Sequence, residues 1–228
     1  MRVLVVGFDT ATPAVSVALH DGERIVASAL TVDARRQGEL LAPMIAKVMA
    51  DAGAAQADLT AVAVGVGPGP YTGLRVGLVT ARVLGEVLSI PVYGVCTLDV
   101  IAAAAQPGTG FLVATDARRK EVYWARYDAA GRREDGPHVG PAAGIAGAAG
   151  LPAAGEGGRM YASSFGSVLE PAHPDARTLC AVVAHRLAGS ADGPELMAPE
   201  PLYLRRPDAR EPGAPKRVTP PPAAGAQP

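Results

Sequence analysis

Hydrophobic and polar residues follow two different periods along the first 100 residues. Continuous or alternating apolar runs predict five strands, at 3–8, 15–20, 25–31, 61–66 and 91–95. Apolar residues spaced by three and four positions predict helices over 39–52 and 71–88. The resulting order, βββαβαβ, is typical of a sheet with helices packed against it.

The pattern is weaker in the second half of the chain. It predicts helices over 98–105 and 178–187 and strands over 111–115 and 122–127. Residues 129–158 are rich in Gly and Ala without a clear period, so we expect loops and at most short elements there. No sequence repeat relates the two halves, which leaves a shared fold open.

Helix 71–88 carries two apolar faces. On a helical wheel one face holds Leu74, Leu78, Ala81, Gly85 and Leu88, and the opposite face holds Val76, Val79, Val83 and Val87. A surface helix needs one apolar stripe, so one face can cover the chain's own sheet and the other needs a further element.

Helix 39–52 has an apolar face that spans about half its circumference, which is wider than a single-sided helix requires. Packing within the chain and a protein–protein interface explain the faces of the two helices equally well. The candidate interface residues are Leu40, Leu41, Met44, Ile45, Val48, Tyr71, Leu74, Leu78, Val79, Ala81 and Val83.

The most distinctive stretch, GVGPGPYTGLRVG at 65–77, lies between a predicted strand and a predicted helix. A glycine-rich turn at such a junction can point backbone N–H groups at a phosphate. The candidate anion or nucleotide residues are Gly67, Gly69, Thr72 and Gly73. The later glycines suggest another role, because Gly73, Gly77, Ala81 and Gly85 form one ridge that would let a neighbouring backbone come close.

Composition and net charge limit the classes of protein to which the chain can belong. The chain has 228 residues, 49% of them hydrophobic, and a net charge of −1, which favours a globular protein without a global basic field. Cys96 and Cys180 stand far apart, which argues against a disulfide framework or a zinc site. No apolar run reaches the roughly 18 residues that span a bilayer, and no signal peptide is evident, so we expect a soluble cytoplasmic protein. From 206 onward proline dominates, and we expect a disordered tail.

For several classes of enzyme, the sequence lacks some of the residues that the reaction needs. A phosphotransferase of the actin and sugar-kinase type would use the Asp9-Thr10-Ala11-Thr12 turn, but that turn lacks the glycine that lets the backbone wrap a phosphate. The second Asp turn, Asp116-Ala117-Arg118-Arg119, lacks it as well. The four histidines show no metal-ligand spacing, and no GxSxG elbow surrounds a serine. We expect no catalytic residue, metal or cofactor.

Basic residues suggest a further candidate, contact with nucleic acid. Arg118, Arg119, Lys120 and Arg126 stand near Tyr123, Trp124 and Tyr127, and such clusters can bind phosphates and stack on bases. The alternative is a set of solvated loops, since acidic residues elsewhere balance the charge.

A family resemblance adds to these observations. The stretch GPGPYTGLRVG at 67–77 closely resembles the motif GPGSFTGLRIG of the bacterial TsaB (YeaZ) family. Other stretches similar to blocks of that family are 9–10, 15–19, 39–45, 90–95, 116–124 and 201–205. Two positions depart from the family pattern: Gln37-Gly38 stand where His-Ser is frequent, and Pro70-Tyr71 replace Ser-Phe.

The resemblance implies an α/β protein with the actin-like (ASKHA) fold, built from two ribonuclease-H-like lobes with mixed sheets flanked by helices. We expect an N-terminal lobe over 1–100 with partner-binding helices, a C-terminal lobe over 101–205 and a Pro-rich tail over 206–228. The resemblance also implies a non-catalytic subunit that pairs, through helices 39–52 and 71–88, with its paralogue TsaD and activates it.

TsaD is the threonylcarbamoyltransferase that forms N6-threonylcarbamoyladenosine at tRNA position 37. The implied assembly includes the ATPase TsaE. This chain is expected to reach tRNA only through that complex and not to contact a membrane. A homodimer is expected when the chain is alone. The competing hypothesis is an ATP-dependent kinase or hydrolase on the same fold.

Overall fold

The computed structural model describes residues 3–205, and the predicted tail at 206–228 lies outside them. The first lobe is a five-stranded sheet with strand order β3-β2-β1-β4-β5. Strands β1, β2 and β3 are antiparallel neighbours, whereas β1, β4 and β5 run parallel. The elements are β1 (Val5–Asp9), β2 (Ala14–His20), β3 (Ile25–Val32), α1 (Gln37–Asp51), β4 (Ala61–Gly65), α2 (Tyr71–Leu88) and β5 (Val92–Val95).

The second lobe repeats this topology without repeating the sequence. Its strand order is β10-β9-β6-β7-β8, with an antiparallel β6–β7–β8 meander and parallel β6–β9–β10 pairing. The elements are α3 (Thr97–Ala105), β6 (Phe111–Asp116), β7 (Val122–Tyr127), β8 (Arg133–Gly140), β9 (Pro152–Ala154), α4 (Glu156–Met160), β10 (Ser167–Val168) and α5 (Ala176–Leu187). Two such lobes make the actin-like α/β fold, so the predicted fold class is confirmed.

Helices cover both faces of the first sheet. Helices α1 and α2 lie on one face, where a core forms around Phe8, Val48 and Leu78. Helix α5 covers the other face through Leu179, Cys180 and Val183. Although α5 lies in the range assigned to the C-terminal lobe, it packs on the N-terminal sheet. A division at residue 100 therefore stays a prediction, and it would apply to the two sheets rather than to every helix.

One sequence prediction about this half of the chain was wrong. The range 129–158 contains the eight-residue strand β8 (Arg133–Gly140) besides short elements. This strand lies at the edge of its sheet and is only partly buried, so its side chains show no apolar alternation. Its pairing depends on backbone hydrogen bonds with β7.

A buried polar cluster lies where α3 packs against the second sheet. The Tyr127 hydroxyl donates a hydrogen bond of 2.7 Å to Oδ1 of Asp99, and Nε of Arg133 lies 3.6 Å from the same oxygen. Burial raises the pKa of Asp99, and burial together with the Asp99 charge raises the pKa of the nearby Cys96 thiol to about 12. The thiol is therefore protonated and unreactive at neutral pH.

Two further findings concern residues 3–205 alone. No helix in this range is both long and apolar enough to cross a bilayer. Nor does this range bring together three or more His, Cys, Asp or Glu side chains in a way that could hold a metal ion.

Candidate partner face and interlobe cleft

Helix α2 has one face in the core and one in solvent. Leu74, Leu78 and Ala81 are buried against the first sheet. On the other side Val79, Val83 and Val87 are 52%, 54% and 74% exposed. These three valines, which we call the valine stripe, form an apolar surface one helix turn apart at each step. An exposed apolar stripe of this kind is typical of a surface that another protein covers.

Most of the residues predicted to form the interface are buried within the chain, and only a few are exposed. The seven buried residues are Leu41, Met44, Ile45, Val48, Leu74, Leu78 and Ala81. The chain's own core takes most of their surface, and of these seven only Leu78 also lines the groove described below. Helix α1 has a wide apolar face because it contacts both the sheet and α2. Of the remaining four, Leu40 is half-buried and Tyr71, Val79 and Val83 are exposed. The interface itself stays a prediction, now limited to this smaller set and Val87.

The valine stripe continues into a groove formed with the end of the described chain. The rings of Tyr71 and Tyr203 stack with centroids 5.5 Å apart, and Nε of Arg82 donates to the carbonyl oxygen of Pro199 at 2.9 Å. The groove has a volume of about 220 Å³. Its lining residues are Tyr71, Arg75, Leu78, Val79, Arg82, Pro201 and Tyr203. The stretch 201–205 thus lies beside α2, which sequence spacing alone does not indicate.

The glycines of the 65–77 motif allow the end of β1 to approach the loop and α2. A Cβ atom on Gly69 would overlap the carbonyl oxygen of Ala11, and one on Gly73 would overlap that of Thr10. At Gly77 a Cβ would lie 2.6 Å from Oγ1 of Thr10. The Thr10 hydroxyl also donates to the carbonyl oxygen of Gly73 at 2.7 Å. These glycines therefore have a packing role.

The same loop has few donors left for a phosphate. Pro68 and Pro70 have no backbone N–H. The N–H of Gly67 donates to Oγ1 of Thr97 at 3.1 Å. The predicted anion site at Gly67, Gly69, Thr72 and Gly73 stays a prediction, and only Gly69 and the first turn of α2 could supply donors to it.

Asp9, at the end of β1, is enclosed by the chain itself. Its Oδ1 accepts the N–H of Ala11 at 2.7 Å and its Oδ2 accepts the hydroxyl of Thr97 at 2.7 Å. A Cβ on Gly65 would overlap the carboxylate. Complete burial raises the pKa of Asp9 to about 6, although both hydrogen bonds act in the opposite direction. Both oxygens of this carboxylate thus bond to groups of the chain itself.

Asp116 ends β6 as Asp9 ends β1, but its turn lies at the surface. Its Oδ1 accepts the N–H of Arg118 at 2.8 Å. Three consecutive residues, Arg118, Arg119 and Lys120, have left-handed φ values of 61°, 56° and 63°. Left-handed geometry costs a residue with a Cβ roughly 1–2 kcal/mol. We call residues 118–120 the basic turn.

Arg205, at the end of the described chain, stabilises the basic turn. Nη1 of Arg205 donates to the carbonyl oxygen of Ala117 at 2.9 Å, and Nη2 forms an ion pair with Glu121. The Arg118 guanidinium lies 3.3 Å from Oδ2 of Asp116. The turn is therefore held in place by contacts at both of its ends.

The basic turn borders a cleft between the lobes. A cavity of about 250 Å³ lies there, and no acidic side chain lines it among the described residues. Its lining residues are Thr10, Thr12, Pro13, Ala34, Arg35, Gln37, Pro70, Thr72, Gly73 and Arg118. The cleft thus brings together the ends of two lobes that are distant in sequence.

The aromatic residues near the basic turn do not form a base-stacking surface. Tyr123 and Tyr127 are buried, and Trp124 packs on His138 with ring centroids 4.7 Å apart. Nη2 of Arg126 donates to the carbonyl oxygen of Ala146 at 2.6 Å. Of the basic and aromatic cluster predicted from sequence, the basic turn is the part that faces solvent.

Comparison with known proteins assigns the family. A family model described as "TsaD: tRNA N6-adenosine threonylcarbamoyltransferase" matches residues 30–153, more than half of the 228-residue chain. The solved structure of YeaZ from Pseudomonas aeruginosa has a TM-score of 0.75 and 29% identity, covering 89% of this chain and 100% of that chain. The tRNA threonylcarbamoyladenosine biosynthesis protein TsaB of Escherichia coli is 39% identical over 131 residues. The chain belongs to the TsaB (YeaZ) family.

The extent of these matches differs. The Escherichia coli TsaB alignment covers 56% of this chain and 55% of that protein. An uncharacterised protein of Mycobacterium tuberculosis is 46% identical over 90% of this chain and 93% of its own length. The TsaB family resemblance is thus confirmed, and the matches that extend over about nine tenths of the chain are the structural match and the mycobacterial relative.

Proposed function

We propose that this TsaB-family chain is a non-catalytic subunit that binds TsaD and activates it for the formation of N6-threonylcarbamoyladenosine at tRNA position 37. Family membership supports the role in tRNA threonylcarbamoyladenosine biosynthesis. The observation that carries the partner assignment is the exposed valine stripe on α2. An exposed row of three valines is unfavourable in water, and burial of each in an interface would contribute roughly 1–2 kcal/mol.

The occupant that we propose for the stripe is TsaD, because the chain belongs to the TsaB family and the resemblance to that family implies pairing with its paralogue TsaD. The groove beside the stripe adds two arginines, Arg75 and Arg82, and two tyrosines, Tyr71 and Tyr203. Tyrosine and arginine are the residue types that most often dominate binding energy at interfaces. The proposed assembly also includes the TsaE ATPase.

The non-catalytic part of the proposal is supported by the surroundings of Asp9. An enzyme of this fold needs a carboxylate that can reach its substrate, whereas Asp9 is buried and accepts hydrogen bonds from Ala11 and Thr97. Purified chain should therefore show no ATP turnover above background. Robust turnover that Asp9→Ala abolishes would favour the kinase or hydrolase alternative instead.

The partner face is tested by co-purification with TsaD. We expect the double variant Val79→Glu with Val83→Glu to lose TsaD, since an interface would bury two unpaired carboxylates. The matched control is Val168→Glu with Leu187→Glu, two exposed apolar residues away from α2, which should retain TsaD. Circular dichroism of both variants checks that they remain folded. A folded stripe variant that still binds TsaD would contradict the proposed interface.

Sedimentation at several concentrations tests the same face without a partner. A homodimer that uses the valine stripe should dissociate in the Val79→Glu, Val83→Glu variant and persist in the control. Because TsaD and a second copy would then compete for one surface, added TsaD should convert the homodimer into heterodimer.

A further inference from the structure

The basic turn presents positive charge from a defined backbone. Three successive left-handed residues define the backbone path of the turn, and Asp116 and Arg205 hold its two ends. Strained backbone that its surroundings support in this way is concentrated at functional sites. The turn lies at the cleft, since Arg118 lines the interlobe cavity.

The carboxylates around the cleft already have cationic partners. Asp116 pairs with Arg118, Glu121 pairs with Arg205, and Asp33 pairs with Arg36 at 2.8 Å. Within residues 3–205, Arg35 and Lys120 form no such ion pair, and both are exposed. Uncompensated positive charge therefore lies in the cleft at Arg35 and on the adjoining basic turn at Lys120, although the whole chain carries a net charge of −1.

The chemistry of this surface favours phosphate groups, which bind arginine and lysine strongly. A free nucleotide usually needs a glycine-rich cradle with several aligned N–H donors. Here the glycines accommodate Thr10 and Ala11, and two loop positions are proline. Spaced phosphates along a polynucleotide need no such cradle, because separate side chains contact them one by one.

We propose that Arg35, Arg118 and Lys120 form a contact surface for the phosphate backbone of RNA, and that in the assembly this RNA is the tRNA substrate. The identity of the RNA rests on the proposed function, whereas the phosphate chemistry does not. The surface contributes affinity without base specificity, because phosphate contacts position a nucleic acid and do not read its sequence. Isolated chain binds weakly, and the TsaD complex adds the remaining contacts.

The experiment measures the binding of fluorescein-labelled tRNA to the complex of full-length chain with TsaD, by anisotropy between 50 and 200 mM KCl. The test variant is Arg35→Ala with Lys120→Ala. We expect about a tenfold loss of affinity at about 100 mM salt, and a salt slope smaller in magnitude by about 1–2, as for one or two lost phosphate contacts. Co-purification with TsaD should not change, because neither residue lies on the valine stripe.

The matched control is Arg24→Ala with Arg132→Ala. These exposed arginines occupy the β2–β3 and β7–β8 turns, at the opposite end of each sheet from the cleft. The control removes the same charge and should stay within about twofold of wild type in affinity and keep its salt slope. Equal losses in the two variants, or no loss in the cleft variant, would overturn the proposal.

Two further arms separate the alternatives. In the first arm, millimolar ATP is added to wild type with bound tRNA. If ATP displaces the tRNA and binds the cleft more tightly than RNA does, the surface is a nucleotide site and the RNA assignment is overturned. Chain without TsaD is tested with tRNA at 50 mM salt. Weak tRNA binding by wild type that the Arg35→Ala, Lys120→Ala variant loses would support the RNA surface, even if the co-purification test contradicts TsaD binding. Failure of one proposal is therefore distinguishable from failure of the other.

Discussion

The two lobes end their first strands in the same way and then use the turn differently. In both, an aspartate closes the strand and its Oδ1 accepts the N–H of the residue two positions later, at 2.7 Å for Asp9 and 2.8 Å for Asp116. The Asp9 turn is buried under the glycine loop and the 18-residue helix α2. The Asp116 turn is open, and the corresponding helix α4 has five residues. The two lobes thus differ both in the length of the helix after the fourth strand and in the exposure of this turn.

This difference teaches that an element's position in the topology does not set its role. A carboxylate at the end of the first strand is the position where enzymes of this fold class need an accessible acid. In the first lobe that carboxylate is enclosed by the chain itself, and in the second it holds one end of a basic surface turn. Four substitutions test the contrast, from the largest expected effect to the smallest.

The largest effect is expected for Gly69→Val, since any Cβ there overlaps the carbonyl oxygen of Ala11. Backbone cannot move aside as a flexible side chain can, so the variant should lose at least about 3 kcal/mol of unfolding free energy. Urea denaturation measures it. Gly140→Val is the control in the second lobe, because nothing lies within 4 Å of a Cβ at Gly140. A tolerated Gly69→Val would mean that the loop is not tightly packed.

The pH dependence of stability should report the burial of Asp9. Its pKa is about 6 in the folded protein and 3.8 in the reference state, so the folded state binds the proton more tightly. Stability from this group is therefore greatest below pH 4 and falls as the pH rises to about 6, by roughly 3 kcal/mol in all at 1.36 kcal/mol per pKa unit.

The substitution Asp9→Asn removes this titration. The difference in unfolding free energy between wild type and variant should change by that amount between pH 4 and pH 7, in the direction that favours wild type at low pH. Parallel pH profiles for wild type and Asp9→Asn would contradict a buried, titrating Asp9.

Two buried threonines, one bonded to Asp9 and one next to Asp116, give a third test. Oγ1 of Thr97 donates to Asp9 and accepts from Gly67, so Thr97→Val should cost about 2 kcal/mol by leaving a carboxylate oxygen and an N–H without a partner. In contrast, the buried Oγ1 of Thr115, near the end of β6, has no hydrogen-bond partner among the described residues. Thr115→Val should be neutral or slightly stabilising. Thermal unfolding of the pair measures the difference.

The smallest effect concerns the left-handed backbone of the basic turn. Lys120→Gly removes the Cβ strain at φ 63° and should stabilise the protein by about 1 kcal/mol or less. Ala11→Gly, in the corresponding turn of the first lobe, relieves no such strain and should destabilise it by a similar amount. Chemical denaturation of both variants is the measurement. A destabilising Lys120→Gly would mean that the lysine side chain itself supports the turn.

Much of the first lobe is predictable from the hydrophobic pattern. The strands and helices there begin and end within a few residues of their predicted bounds, because each has an apolar face toward one core. The pattern also separates the faces of α2, and it is Val79 and Val83 that stay exposed. It misses β8, because an edge strand such as Arg133–Gly140 pairs through its backbone and needs no apolar period.

The candidate site was less accessible to sequence reasoning. The width of the apolar face of α1 correctly indicates two packing partners, but both, the sheet and α2, belong to the same chain. Periodicity reports burial and does not say against which molecule. The groove with Tyr203 and the support of the basic turn by Arg205 join residues more than 80 positions apart, and no local pattern encodes such contacts.

The sequence by itself determined the order of elements, the two-faced helix α2 and the family, because these depend on local spacing and on an eleven-residue motif at 67–77. Tertiary structure decided what the glycines are for. The same Gly-rich spacing suits a phosphate cradle or a close backbone contact, and only the approach of Thr10 and Ala11 distinguishes them. Whether a residue lies in the core, on the partner face or in the cleft depends on which segments distant in sequence pack against it. Hydrophobic periodicity does not identify those segments.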